Sequence, residues 1–222
     1  MVVVITGTSR GIGKALVEQF APYADLIYAI SSSAQSHFQA LNNVVQLSAD
    51  WKAFNPKEMG DQIKHKVDIL INNAGALTKC PLAELEEQSV LHMLEANALL
   101  AFKLTRHIYN EGKFNSGAHV INISSMAGYQ GASKFPGMAA YSIAKGALAT
   151  LTECMHAEWG QSIRVNCLCI GAVNTEMLAA AFPGYKADVD PITMARFITQ
   201  FALSARNVMS GKILPINLSD PG

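Results

Sequence analysis

The segment Val2 to Thr6 is a run of β-branched residues with no polar alternation, the pattern of a strand buried on both faces of a parallel sheet. Six further short runs read as strands: Asp25 to Ile30, Val44 to Leu47, Val67 to Ile71, Gly117 to Ser125, Ser162 to Ile170 and Lys212 to Leu218. Between them lie longer helix-forming stretches, at Lys14 to Phe20, about Lys57 to Lys66, about Glu84 to Tyr109, Tyr141 to about Trp159 and Pro191 to Arg206. Strand, turn and helix in repetition predict an α/β architecture, a doubly wound parallel sheet with helices on both faces and a ligand cleft at the carboxyl ends of the strands. No linker, internal repeat or low-complexity tract interrupts the pattern, so residues 1–222 are expected to form one domain.

Composition narrows the partners. Half of the residues are hydrophobic and the formal charge is zero, which argues against bulk electrostatic binding to nucleic acid or a membrane surface and favours small molecules. The four cysteines, Cys80, Cys154, Cys167 and Cys169, show no paired metal-ligand spacing, so no metal site is expected. They read as reduced thiols of a cytoplasmic protein. The opening Met1 to Ile5 lacks a basic flank and soon meets glycine, and it is read as neither a signal peptide nor a membrane span.

The candidate chemistry falls at the predicted strand ends. Gly7, Gly11 and Gly13 follow the first strand and precede a helix, where a chain must turn tightly under a diphosphate. Ser31 to Ser33 end the second strand with no carboxylate for a ribose 2′-hydroxyl. Asp50, after the third, is placed either to accept from an adenine amino group or to cap the following segment. Asn72-Asn-Ala-Gly75 ends the fourth strand with small residues that let backbone approach a ligand. Asn97 lies among apolar neighbours in a helix and needs partners for its amide, which a neighbouring helix would also satisfy. Ser124 and Ser125 end the fifth strand on opposite faces, and Ser125 is the candidate. Tyr141 and Lys145 stand four residues apart and face the same way. A tyrosine ionises near pH 10, so bringing it to about 7 takes roughly 4 kcal/mol of phenolate stabilisation, more than one exposed cation supplies. A second positive charge or partial burial is implied.

Taken together, these residues resemble the short-chain dehydrogenase/reductase family over essentially the whole chain. Gly7, Gly11 and Gly13 match its TGxxxGxG turn, Asn72 to Gly75 its NNAG, and Asn97, Ser125, Tyr141 and Lys145 its catalytic four in order. The resemblance implies a Rossmann-type sheet and an oxidoreductase that moves a hydride between a nicotinamide and a carbonyl or alcohol. It makes Tyr141 the general acid or base. Lys145 lowers the phenol's pKa and holds the nicotinamide ribose, Ser125 orients the substrate oxygen, and Asn97 keeps a water in a proton relay. Cofactor contacts are expected from Gly7, Ser9, Arg10, Gly11, Ile12, Gly13, Ser31, Ser32, Asp50, Asn73, Ala74, Gly75, Tyr141, Lys145, Gly171, Val173 and Thr175.

Arg10 beside Gly11, with hydroxyls rather than a carboxylate at Ser31 to Ser33, points to NADP(H) over NAD(H). The alternative for Arg10 is a solvated surface arginine. Three departures from the family pattern stand out. Ser125 and Tyr141 are sixteen residues apart instead of thirteen, so the Tyr129 to Met138 loop, expected to line the pocket, is long. Ile170-Gly171 replaces Pro-Gly, and the Thr175 to Pro191 lid is short, which predicts an open pocket. Leu77, Met126, Tyr129, Phe135, Met177 and Phe182 are the expected apolar lining. Surplus apolar residues on the helices of Asn97 and Tyr141 (Leu99, Leu100, Phe102, Leu148, Leu151, Met155, Trp159) predict a homodimer or homotetramer. A non-catalytic dinucleotide-binding redox sensor is the alternative function, disfavoured because sensing needs none of the four catalytic residues. An epimerase or dehydratase would need an extra substrate domain for which the chain lacks room.

Overall fold

The computed structural model describes residues 1–32, 38–51 and 53–218. Seven strands form one parallel sheet in the order β3-β2-β1-β4-β5-β6-β7. They are β1 Val2–Thr6, β2 Leu26–Ser31, β3 Val44–Ser48, β4 Val67–Asn72, β5 Phe114–Ser125, β6 Arg164–Ile170 and β7 Lys212–Ile216. The order reverses between β1 and β4, and that switch point is where an open parallel sheet leaves a crevice at its carboxyl edge.

Both faces of the central strands are covered, as their unbroken apolar pattern requires. Val3, Ile5, Ile69, Ile71, Ile121 and Ile123 pack with α1 (Gly11–Phe20) and α7 (Pro191–Ser204) on one side. Val4, Leu70 and Val120 point the other way, towards Met59, Leu104, Ile108 and Met155. These come from α2 (Pro56–Gln62), α4 (Leu100–Asn110) and α5 (Ala139–Trp159). Fully buried side chains such as Phe20 and Leu16 each contribute roughly 1.5–3 kcal/mol to this core.

Helix starts follow local chemistry. Asn55 caps α2 by accepting from the Lys57 and Glu58 amides, and Pro56 takes the first helical position. Asp190 and Pro191 do the same for α7, and Thr175 caps α6 (Glu176–Ala181). The helix expected from Glu84 to Tyr109 differs from the prediction. Leu82–Glu84 is a separate 3₁₀ turn, and α3 (Glu87–Leu94) joins α4 through a π turn, Glu95–Leu99. The Asn97 amide donates to the Met93 carbonyl four residues back at 2.9 Å, taking an acceptor that an α-helix gives to backbone and widening the turn. Among the described residues no helix is long and apolar enough to cross a membrane.

Candidate active site

The carboxyl ends of β1, β4, β5 and β6 open on a cavity of about 520 Å³, within the range of small-molecule sites. At its floor Gly7 has φ +75°, a conformation that β-carbons disfavour. Gly13 is required by space instead. A Cβ there would meet the Gly7 carbonyl oxygen at 2.0 Å and the Asn73 amide nitrogen at 2.6 Å. Asn73 holds this corner by donating to the Thr6 and Gly7 carbonyls, and Thr6 Oγ1 accepts from the Asn73 and Ala74 amides. The turn, packed to contact and capping helix α1, fits the diphosphate of a dinucleotide. Arg10 is the N-cap of α1, and its exposed side chain lines the cavity. Among the described residues no carboxylate pairs with it.

At the other end stand the expected catalytic residues. Ser124 Oγ donates to the Lys145 carbonyl at 2.8 Å. A Cβ on Gly128 would lie 2.5 Å from Lys145 and Gly146 backbone, so the 3₁₀ turn Met126–Gly128 lies hard against the first turns of α5. These two contacts bring Ser125 to Tyr141 whatever the length of the loop between them. Tyr141 is 8% exposed, and burial pushes its phenol up to about 12, outweighing the opposing influence of the Ser125 hydroxyl. Lys145, 4% exposed, donates to the Ile123 carbonyl at 2.9 Å, and its Nζ stands 5.8 Å from the Tyr141 ring centre. Burial pulls it down to about 8. In this arrangement the ammonium is hydrogen bonded to β5.

Asn97 is hydrogen bonded as well. Its side chain accepts from the Ala76 amide and donates to the Ala76 and Met93 carbonyls, so it brackets the loop after β4 against the π turn, with a second lone pair left on Oδ1. Gly75 closes the corner, where a Cβ would strike Asn97 Oδ1 at 2.5 Å and approach Lys145 Nζ at 3.3 Å.

The cavity gathers Gly7, Ser9, Arg10, Gly11, Ile12, Gly13, Ser32, Asp50, Asn73, Ala74, Gly75, Asn97, Ser125, Tyr141, Lys145, Gly171, Val173 and Thr175 along one wall or another. Ser31 is not among them. It is the last residue of β2, buried beside Ser48, with its carbonyl accepting from Ala49. Ser33 lies outside the described residues. The helix after Asp50 is capped by Asn55, and Asp50 lines the cavity with Trp51, whose indole tilts on Phe54. Thr175 Oγ1 is occupied as the cap of α6.

Of the expected apolar lining, Leu77, Met126, Phe135, Met177 and Phe182 are present. Tyr129 instead packs beside Cys167 and Cys169 under the sheet. Met138, Leu178 and His92 line the cavity too, without a signal in the sequence beyond their nearness to motif residues. Phe182 of the short lid sets its edge against Phe135, with ring centres 5.6 Å apart. The four cysteines are free thiols, and no group of three or more potential metal ligands occurs among the described residues.

A model of the short chain dehydrogenase family matches residues 1–186. The chain is 30% identical over 189 residues to a 2-dehydro-3-deoxy-D-gluconate 5-dehydrogenase of Pseudoalteromonas atlantica, covering 79% of this chain and 73% of that one. It is similar to the solved short-chain dehydrogenase/reductase of Serratia marcescens BCRC 10948, at 26% identity and TM-score 0.83 over 97% and 96% of the two chains. A 4-hydroxyisoleucine dehydrogenase solved with NADH is 25% identical, with TM-score 0.79 over 97% and 96%. With more than half the chain matched and the overall fold similar to such neighbours, the protein belongs to the short-chain dehydrogenase/reductase family of oxidoreductases.

Proposed function

We propose that residues 1–222 act as one dinucleotide-binding catalytic domain, an NADP(H)-dependent oxidoreductase interconverting a carbonyl and an alcohol. The observation that carries this reading is the convergence of Ser125, Tyr141 and Lys145 on the same cavity as the glycine turn. A bound nicotinamide supplies or accepts the hydride. The phenol of Tyr141 gives the oxygen its proton in reduction and takes it in oxidation, while Ser125 Oγ orients that oxygen. Phenol held up to about 12 stays protonated at neutral pH, which suits the acid of the reducing direction. Lys145 holds its charge below about pH 8 and lies at the corner of Gly75 and Asn97, in reach of a ribose. Asn97 acts as a positioning residue.

Cofactor choice has to rest on this chain's own residues, because a similar dehydrogenase was solved with NADH. Arg10 and the Ser32 hydroxyl offer donors at the cavity, with no carboxylate at Ser31 or Ser32 to repel a 2′-phosphate. The substrate end, walled by Leu77, Phe135, Met138, Met177 and Phe182, has few partners for a polyol, so we assign a substrate with an apolar body in place of the relative's sugar acid. The protein is proposed to work in the cytoplasm as a homo-oligomer. Redox sensing is the weaker reading, since it leaves the cluster of Ser125 with the buried Tyr141 and Lys145 without a task.

The test is turnover of a panel of ketones, aldehydes and alcohols followed by nicotinamide absorbance. Tyr141→Phe is expected to lose about two or more orders of magnitude in kcat with cofactor affinity nearly unchanged. Wild-type turnover that persists in that variant would refute the mechanism.

A further inference from the structure

Lys79 lies against Phe182, a wall residue of the substrate end. Along the loop after β4, Leu77 lines the cavity, whereas Thr78 and Cys80 line a separate side pocket of about 240 Å³ with His92 and Met93. Lys79 turns to the cavity's outer wall, where its Nζ lies 4.4 Å over the centre of the Phe182 ring. The stem is seated. Cys80 donates its amide to the Gly137 carbonyl at 2.9 Å, and Gly137, at φ +80°, has Lys79 Cβ and Cε 3.5 Å from where a side chain would begin. Three segments thus meet around this side chain: the loop after β4, the long loop before α5, and the lid. An aromatic face attracts a cation without neutralising it, so the charge keeps its reach for an anion. Among the described residues no carboxylate forms an ion pair with it. The nearby lining of Leu77, Phe135, Met138 and Phe182 is apolar, and this exposed ammonium adds a positive charge beside it.

Resting on the carbonyl and alcohol reading above, we propose that Lys79 is a specificity residue that reads a carboxylate carried by the substrate at the far end from its reacting carbonyl. The body of such a substrate lies on the apolar wall, its carbonyl faces Ser125 and Tyr141, and its anionic end meets Lys79 beside Phe182. A charge-assisted contact of this kind favours the acid over a neutral analogue by about tenfold or more.

The experiment uses methyl ketones bearing a terminal carboxylate on chains of increasing length, each beside its methyl ester, with kcat/KM measured at low and high salt. At one length the acid is expected to exceed its ester by about tenfold, less so at high salt. Lys79→Gln should bring that ratio to about one and Lys79→Arg should keep it. No acid preference at any length would overturn the proposal, as would a ratio unchanged in Lys79→Gln. A lysine that only steadies the lid would shift acid and ester together and leave the ratio as it was. Tyr141-dependent turnover of the esters with no acid preference would sink this inference alone, whereas no turnover of any member would sink the oxidoreductase reading with it.

Discussion

Lys145 shows at the scale of one residue how this site trades stability for chemistry. Its folded pKa, about 8, lies below the 10.5 of the exposed group, with burial the leading cause. The unfolded chain therefore binds more protons between pH 8 and 10.5, and stability rises with pH across that window. At pH 7 the buried ammonium costs about 3 kcal/mol. Lys145→Met is expected to be the more stable protein at pH 7 in urea unfolding, with the difference shrinking towards pH 10.5, and to be inactive. A difference that stays constant with pH would mean that folding leaves the lysine's pKa unshifted. Arg10 makes the opposite kind of residue, exposed and without an ion-pair partner among the described residues, visible in sequence as a cation beside Gly11. Arg10→Ala should raise the KM for NADPH by about ten- to a hundredfold and leave that for NADH nearly untouched. Equal losses for both cofactors, or wild-type use of NADH as readily as NADPH, would remove the NADP(H) assignment.

Elements decide how those residues meet. The turn between β1 and α1 was readable as a phosphate site from its glycine spacing, yet the reason for each glycine differs: Gly7 for its dihedral angle, Gly13 for want of room. Gly13→Ala forces its Cβ against the Gly7 carbonyl and is expected to cost about 1–3 kcal/mol of stability, as overpacking does, and to weaken cofactor binding in the same step. Thermal unfolding and cofactor titration would measure both, and a variant normal in each would show that the turn can shift freely. The π turn at Glu95–Leu99 was not legible. Helical periodicity runs unbroken through it, and the widening comes from Asn97 bonding Met93 and a loop 21 residues upstream in the chain. Likewise, three residues added between Ser125 and Tyr141 leave the pair together, because Ser124 and Gly128 dock on α5 independently of the loop's path.

At the scale of the whole molecule, the apolar surplus of α3 to α5 shrinks once the chain is folded. Leu100, Leu148 and Met155 are buried within the chain, and Trp159 stacks on Tyr109 at 4.4 Å. Leu91, Leu99 and Ile143 remain, 48%, 41% and 51% exposed, and they are the surface on which the proposed self-association rests. Light scattering at micromolar concentration should give a dimer or tetramer, with Leu99→Glu together with Ile143→Glu giving a monomer; a wild-type monomer would refute the assignment. What the sequence by itself determined is the order of elements and the identity of the reactive groups. Strand burial, helix caps and glycine turns are local chemistry, each legible within a few residues of itself. Tertiary structure alone decided which groups are spent on structure: the Asn97 amide, the Thr175 hydroxyl, and the Lys145 ammonium that donates to Ile123. It also decided that Ser31 and Tyr129 turn away from the cavity, that Met138 and His92 border it, and that Lys79 lies over its Phe182 wall. The physical reason is that a hydrogen bond's partner, and the burial that sets a pKa, come from residues far along the chain, which no local pattern encodes.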